Sequence, residues 1–144
     1  MKKNSKLTLL STNDLYNTNL DKTDLLIFVG NENTFLQGRI PRSIHVSPYE
    51  IICGDKPATG KLPSKNKLLK LVNKLGGAYE KKIIVYDDEG GGWAGRMIWT
   101  LEILNYKKLF FLDGGLNAWC AEKRSIESGD TITKEVTLIN EISL

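Results

Sequence analysis

The sequence predicts an α/β fold in which strands alternate with helices around a largely parallel sheet. Four short apolar runs, at residues 7–10, 25–29, 83–86 and 109–112, are typical of strands, and the run at 83–86 is typical of one buried on both faces. Helical patterns or turn residues separate these runs, as the crossovers between parallel strands require. At 144 residues with 41% hydrophobic content, the chain is long enough to bury the core of one globular domain.

The predicted helices are marked by the residues at their ends. Ser11 and Asp14 have the spacing of a capping box and indicate a helix start after the first strand. Ser64 begins an amphipathic helix, which the glycine pair at 76–77 ends. A further helix follows the third apolar run, and Asn105 is suited to end it in the left-handed conformation.

Composition and charge exclude several classes of function. The net charge is +3, from 20 basic and 17 acidic residues, and the lysines are dispersed along the chain. Because no basic motif is interleaved with aromatic residues, we expect no nucleic-acid partner. No apolar run approaches the roughly 20 residues that a membrane span needs, and no apolar signal-peptide core follows the first residues. We therefore expect a cytoplasmic protein without a membrane partner.

The cysteines and the histidine do not form a metal-ligand pattern. Cys53 and Cys120 are far apart, and His45 is the single histidine, so we expect no metal and no cofactor. Cys120 is predicted to be a small core residue beside an apolar helical stretch. Cys53 lies in a predicted loop and could be exposed, although neither thiol is a strong candidate nucleophile. His45 is predicted to be a half-buried, satisfied side chain.

The loop at residues 87–92, here called the acidic loop, has the sequence DDEGGG. It joins the strand at 83–86 to a helix predicted to begin near Trp93. Three glycines allow several main-chain N–H groups to turn inward, and the helix adds the positive end of its dipole. Such a loop suits an anion, yet Asp87 enters it, with Asp88 and Glu89 directly behind and no Cys, Ser or His.

We therefore predict that the Asp87 carboxylate itself accepts hydrogen bonds from this loop. The donors are expected to be the helix start and the amides of the three glycines, Gly90, Gly91 and Gly92. The alternative is that Asp87 starts a solvated turn and its side chain faces water.

A second turn, residues 113–115 and here called the glycine turn, follows the last apolar run. Asp113 is predicted to cap the helix after it, and at least one of Gly114 and Gly115 is predicted to need a positive φ. Trp119, on that helix, is expected to pack against the sheet.

Several segments together resemble the rhodanese (sulfurtransferase) family. The most specific is LDGGLNAW at 112–119, joined by IIVY at 83–86 and AGRMIW at 94–99. GKLPS at 60–64 and GRIP at 38–41 match further stretches of the family. The pattern is most similar to the non-catalytic, amino-terminal halves of two-domain thiosulfate and 3-mercaptopyruvate sulfurtransferases.

The resemblance implies a doubly wound, mostly parallel sheet of about five strands with helices on both faces. It implies a domain at 5–128, with a polar tail or interdomain linker at 129–144. In catalytic members a cysteine that carries sulfur as a persulfide follows the strand's tyrosine, and here that position holds Asp87.

Two further positions depart from the family. Residues 28–30 (Phe-Val-Gly) replace an Asp-Val-Arg whose charges brace the neighbouring loop. Arg39 replaces a histidine, and is either a partner for Asp87 or Asp88 or a surface arginine.

Three functional hypotheses follow from these residues. The first is a structural half whose partner is a catalytic rhodanese domain, in cis or in trans. The second is an independent module for protein interaction or anion sensing. The third, less favoured, is an enzyme that uses the Asp87 carboxylate or Cys53. Because sulfur donors such as thiosulfate are anions, the three acidic side chains of the acidic loop favour inactivity of this chain alone.

Overall fold

The computed structural model describes residues 6–52, 62–77 and 79–130. Its strands are β1 (Lys6–Leu10), β2 (Leu25–Val29), β3 (Ile44–Val46), β4 (Lys82–Tyr86) and β5 (Lys108–Leu112). Its helices are α1 (Thr12–Tyr16), α2 (Glu32–Gln37), α3 (Lys65–Leu75), α4 (Gly92–Ile103) and α5 (Gly115–Ala121), with a 3₁₀ helix at Pro48–Glu50. None of the helices in these ranges is both long and apolar enough to cross a membrane.

The strands form one five-stranded sheet in the order β1-β5-β4-β2-β3, and every pair is parallel. This confirms the predicted doubly wound α/β fold. The strand order reverses between β2 and β4, where Ile27 lies opposite Val85. In open α/β sheets, ligands bind beyond the carboxyl ends of the strands at such a reversal.

Helices cover both faces of the sheet, so the strands contribute to two cores. One core joins α3 and α4 to side chains such as Ile27, Val85 and Leu109. The other joins α1, α2 and α5 to side chains such as Phe28, Tyr86 and Leu112. Burial on both faces explains why the sequences of β2 and β4 are continuous apolar runs, whereas Leu7 and Leu9 of the edge strand β1 are exposed.

The predicted helix ends are confirmed. Ser11 Oγ accepts a hydrogen bond from Asp14 N at 3.0 Å, and Ser64 Oγ accepts one from Lys67 N at 3.3 Å. Gly76 ends α3 in the left-handed region with φ 84°, and Asn105, just beyond α4, has φ 72°. These local signals act within one turn of chain, which is why the sequence reveals them.

The sequence did not predict α2. Asn31 caps it, since its Oδ1 accepts a hydrogen bond from Asn33 N at 2.7 Å. The helix has six residues, and Phe35 is its buried member. A single buried apolar residue gives no periodic pattern, and the Asn31 cap alone did not identify this helix.

Candidate functional site: the acidic loop and the glycine turn

Asp87 is the central residue of the acidic loop. It follows β4 directly and is only 3% exposed. Its Oδ1 accepts hydrogen bonds from Glu89 N at 3.0 Å and Gly91 N at 2.9 Å, and its Oδ2 accepts one from Ala94 N at 2.9 Å. The prediction that this carboxylate accepts hydrogen bonds from its own loop is confirmed.

The donors differ in part from those predicted. Gly91 is the single glycine among them, and the other two amides belong to Glu89 and Ala94. Gly90 and Gly91 both have positive φ, of 83° and 100°, and this conformation curls the loop around the carboxylate. The helix begins at Gly92, which confirms the predicted start near Trp93, and Asp87 satisfies an amide of its first turn from outside the helix.

The side chains of the other two acidic residues of the loop lie outside this hydrogen-bonded ring, although the main-chain N–H of Glu89 belongs to it. Asp88 is half-buried, and its main-chain carbonyl accepts a hydrogen bond from Asn117 Nδ2 at 3.3 Å. Glu89 is exposed. The loop therefore presents a solvated carboxylate outward while Asp87 occupies its interior.

The glycine turn packs directly on Asp87. Leu116 N donates a hydrogen bond to Asp87 O at 3.0 Å. Gly114 and Gly115 have φ of 83° and 56°, which confirms the predicted left-handed backbone. A Cβ on Gly115 would lie 2.4 Å from Asp87 O, so only glycine lets the two segments approach this closely.

The predicted capping role of Asp113 is wrong. The N-cap of α5 is Gly114, and no side chain in the described part of the chain caps this helix. The Asp113 side chain is exposed, while its main-chain N–H donates to Leu10 O at 2.8 Å. The turn is too short to bring this carboxylate back over the helix amides.

Trp119 is 5% exposed, which confirms its predicted burial, and its Nε1 donates to Ser125 O at 2.8 Å.

A sequence model of the Rhodanese-like domain matches residues 12–122. The chain belongs to the rhodanese-like domain family. The matched residues lie within the domain predicted at 5–128 and contain both the acidic loop and the glycine turn. Residues 131–144, which make up most of the predicted tail, lie outside the described residues.

Curated relatives of this rhodanese-like domain include two bacterial thiosulfate sulfurtransferases. The chain is 39% identical to that of Azotobacter vinelandii over 102 residues, and 39% identical to that of Pseudomonas aeruginosa over 103 residues. These alignments cover 71% and 72% of this chain but 38% of each relative. The chain thus spans well under half the length of either relative.

The fold of the rhodanese-like domain also matches solved structures. SseA, a 3-mercaptopyruvate sulfotransferase from Escherichia coli, superposes with a TM-score of 0.78 at 22% identity. The match covers 96% of this chain and 56% of that chain. At this identity the likeness establishes the α/β architecture.

Arg39 has neither of the two positions predicted for it. It is 1% exposed, so it is not a surface arginine, and the described residues give it no ion pair with the acidic loop. Its Nη1 donates to Phe35 O at 3.0 Å and Gly129 O at 2.7 Å, and its Nε lies 3.3 Å from Glu127 Oε1. Two of these three partners are about 90 residues away in sequence, and a local pattern cannot reveal them.

Aromatic rings surround the main chain at the end of β2. A Cβ on Gly30 would lie 2.7 Å from the Phe28 ring, so the ring covers this position. Gly30 O lies 2.6 Å from His45 Nε2, and the imidazole packs beside the Phe28 and Phe35 rings, which also contact each other. This half-buried, hydrogen-bonded histidine confirms the prediction for His45.

The prediction that Cys120 is a core residue is wrong, because its side chain is exposed. Leu116 and Trp119 bury the inner face of α5, and one residue further the helix has turned by about 100° toward solvent. Cys53 lies outside the described residues. Within the described ranges, no three His, Cys, Asp or Glu side chains are grouped as metal ligands.

Proposed function

We propose that this rhodanese-like domain is a non-catalytic, structural half of a thiosulfate or 3-mercaptopyruvate sulfurtransferase. The observation that carries the proposal is the Asp87 carboxylate, which is buried inside the acidic loop with three main-chain donors. By resemblance to the family, this is the position of the sulfur-carrying cysteine. The loop holds a built-in anion where a catalytic domain holds a thiolate.

The chemistry of sulfur transfer supports inactivity. In such a reaction a thiolate attacks the sulfane sulfur of thiosulfate or the thiol sulfur of 3-mercaptopyruvate. A new S–S bond forms as the donor's S–S or C–S bond breaks, and sulfite or the enolate of pyruvate departs. A carboxylate cannot form this persulfide. The amides that could stabilise an incoming anion are already bound to Asp87, and Glu89 adds a negative charge at the loop surface.

The length of the relatives supports a partner domain. Two proteins named thiosulfate sulfurtransferase share 39% identity with this chain, yet 38% of each is covered. More than half of each relative therefore lies outside the match, and we propose that a catalytic rhodanese domain, in cis or in trans, completes the enzyme. A cytoplasmic setting, without nucleic-acid or membrane partners, is part of this proposal.

The other hypotheses have weaker support. Anion sensing by the acidic loop needs free donors, and Asp87 already binds the amides that curl around it. Nucleophilic attack by Asp87 needs an accessible oxygen, and this residue is buried. An independent interaction module remains the principal alternative, and it differs from our proposal in having no catalytic partner.

The first test is a thiosulfate:cyanide sulfurtransferase assay on the purified chain. We expect thiocyanate formation at background for the chain as it stands. Asp87→Cys should remain well below a catalytic rhodanese, because Asp88 and Glu89 persist beside the new thiol. Cys53→Ser and Cys120→Ser serve as controls, and activity that disappears with Cys53→Ser would identify Cys53 as the carrier and overturn the proposal.

A chimera tests the structural role separately. In the Azotobacter vinelandii enzyme, the matched region is replaced by residues 12–122 of this chain, and a second protein lacks the region altogether. We expect the chimera to transfer sulfur faster than the truncated enzyme, because the inserted domain restores the missing half. A folded chimera with no more activity than the truncated enzyme would favour the independent module.

A further inference from the structure

A cavity of about 750 Å³ opens beyond the carboxyl ends of β2, β3 and β4. It lies at the reversal of strand order, outside the hydrogen-bonded ring around Asp87, and its size is that of a small-molecule site. The lining comes from the start of α2, from the segment after β3 and from the start of α4: Asn31, Glu32, Asn33, His45, Ser47, Pro48, Tyr49, Ile52, Glu89 and Trp93.

The charge of this lining is negative. Glu32 and Glu89 are exposed carboxylates on two different elements, and no Lys or Arg belongs to the lining in the described part of the chain. Lys67 approaches from behind, where its Nζ donates to the carbonyls of Tyr49 at 2.9 Å and Ile52 at 3.2 Å. That ammonium offsets part of the negative charge, but its hydrogen bonds are directed to the main chain of the cavity wall.

Two aromatic side chains line the cavity, and the main chain that carries one of them is held by a helix cap. Tyr49 is 75% exposed and lies on the 3₁₀ helix Pro48–Glu50. A capping box fixes this helix, because Ser47 Oγ accepts from Tyr49 N at 3.2 Å and Glu50 Oε2 accepts from Ser47 N at 2.7 Å. Trp93 is half-buried in the first turn of α4. An exposed aromatic side chain on a fixed main chain is suited to contact a ligand.

We propose that this cavity binds an organic cation, a guanidinium or alkylammonium group. The faces of Tyr49 and Trp93 attract a cation through their π electrons, and Glu32 and Glu89 add charge pairing from two sides. The site therefore favours the charge opposite to that of thiosulfate. This inference does not require that the domain be half of a sulfurtransferase, since it rests on the cavity alone.

The test is a titration with Nα-acetylarginine methyl ester, whose one charge is the guanidinium, monitored by the three tryptophan indole N–H signals in NMR spectra. We expect saturable shifts of the Trp93 signal with a dissociation constant of about 1 mM, as suits an open, solvated site. The Trp119 signal should stay unchanged, because that N–H is bound to Ser125 O. Added salt should weaken binding.

Variants of single side chains test which carboxylates bind the cation. Glu32→Gln and Glu89→Gln should each weaken binding about fivefold, the effect of one solvated charge pair at close range. Glu80→Gln removes the same charge from an exposed residue beside the amino end of β4, and should leave binding unchanged. Trp93→Leu removes the reporting indole, so its binding is followed by the main-chain amide signals of the cavity lining, and it should weaken binding by a similar factor of about five.

Two comparisons could overturn the proposal. Nα-acetylcitrulline methyl ester has nearly the same shape without the charge, so equal binding would show that charge is not recognised. Thiosulfate that shifts the Trp93 signal at lower concentration than the arginine ester would show an anion site instead. The peptide Gly-Gly-Arg-Gly-Gly distinguishes the sources of the cation: tighter binding than the ester indicates a protein side chain, and weaker binding a free small molecule.

Discussion

Asp87 and Asp113 occupy equivalent places in the fold, yet their surroundings are opposite. Each is the first residue after a parallel strand, and each precedes a left-handed glycine and a helix. Asp87 is buried with three main-chain donors, whereas the Asp113 side chain is exposed and does not cap its helix. The residue type and the strand end are the same, so the difference comes from the connection that follows.

The length of that connection explains the contrast. Residues 87–91 join β4 to α4, and this is long enough for the chain to curl back over the side chain that begins it. Residues 113 and 114 alone join β5 to α5, so the helix starts before any amide can face the Asp113 carboxylate. The shorter turn instead brings its own glycine against the main chain of Asp87. The Asp87 side chain fills the acidic loop, and the glycine turn can pack against this loop because Gly115 has no side chain.

The largest expected effect is at the contact between the two segments. Gly115→Val should lower the free energy of unfolding by about 4 kcal/mol, because the new side chain meets Asp87 O and the backbone has positive φ. Chemical denaturation measures the change, and Gly115→Ala provides a milder variant if the valine protein does not fold.

Two other glycines separate the causes of this loss. Gly90 has positive φ with open space around it, so Gly90→Ala should cost about 1 kcal/mol from backbone conformation alone. Gly92 has open space without a positive φ, and Gly92→Ala should be neutral or stabilising. If Gly115→Ala lowers the free energy of unfolding by no more than Gly90→Ala does, the close approach of Gly115 to Asp87 O contributes nothing to stability.

A direct comparison of the two aspartates should give the next largest effect. Asp87→Ala should cost about 3 kcal/mol, because it leaves three amides of the acidic loop without their charged acceptor. Asp113→Ala makes the same chemical change at an exposed side chain and should alter stability by less than about 0.5 kcal/mol. Equal losses in thermal or chemical unfolding would refute the distinction drawn between the two loops.

The residues before the two aspartates should differ in their response to pH. Burial is the main cause that raises the pKa of Tyr86 to about 12 from its ordinary 10.0, while hydrogen bonds with Ser43 and Ile40 oppose the shift. Since the folded state holds this proton more tightly, stability is complete below pH 10 and falls as the pH rises toward 12. Leu112, before Asp113, has no such group.

Tyr86→Phe should therefore flatten the alkaline loss of stability and cost about 1 kcal/mol at neutral pH from the lost hydrogen bonds. Tyr106 is the control, because burial raises its pKa too, but its hydroxyl has no hydrogen-bond partner among the described residues. Tyr106→Phe should also flatten the alkaline slope without a cost at neutral pH. If stability still falls at alkaline pH with the same slope when both tyrosines are replaced by phenylalanine, the buried tyrosines are not the cause of that loss.

Much of the fold could be predicted because its signals are local. Apolar runs located four of the strands, and the Ser11 and Ser64 caps located two helix starts. The family resemblance, rather than a periodic pattern, placed the three-residue strand β3 after the GRIP segment, and the helix α2 was not predicted. For the acidic loop, the order of Asp87 and its glycines predicted that the carboxylate turns inward, although not which amides bind it.

By itself, the sequence determined the alternation of strands and helices, the left-handed glycines and the aspartate that turns into the acidic loop. These depend on residues within about one turn of each other, and backbone sterics act over that range. Only the tertiary structure decided that Arg39 is buried against Glu127 and Gly129, that Cys120 faces solvent and that Asp113 does not cap α5. It also decided that carboxylates from two separate elements meet aromatic rings at one cavity. Such arrangements depend on contacts between distant segments, which packing fixes only once the sheet has formed.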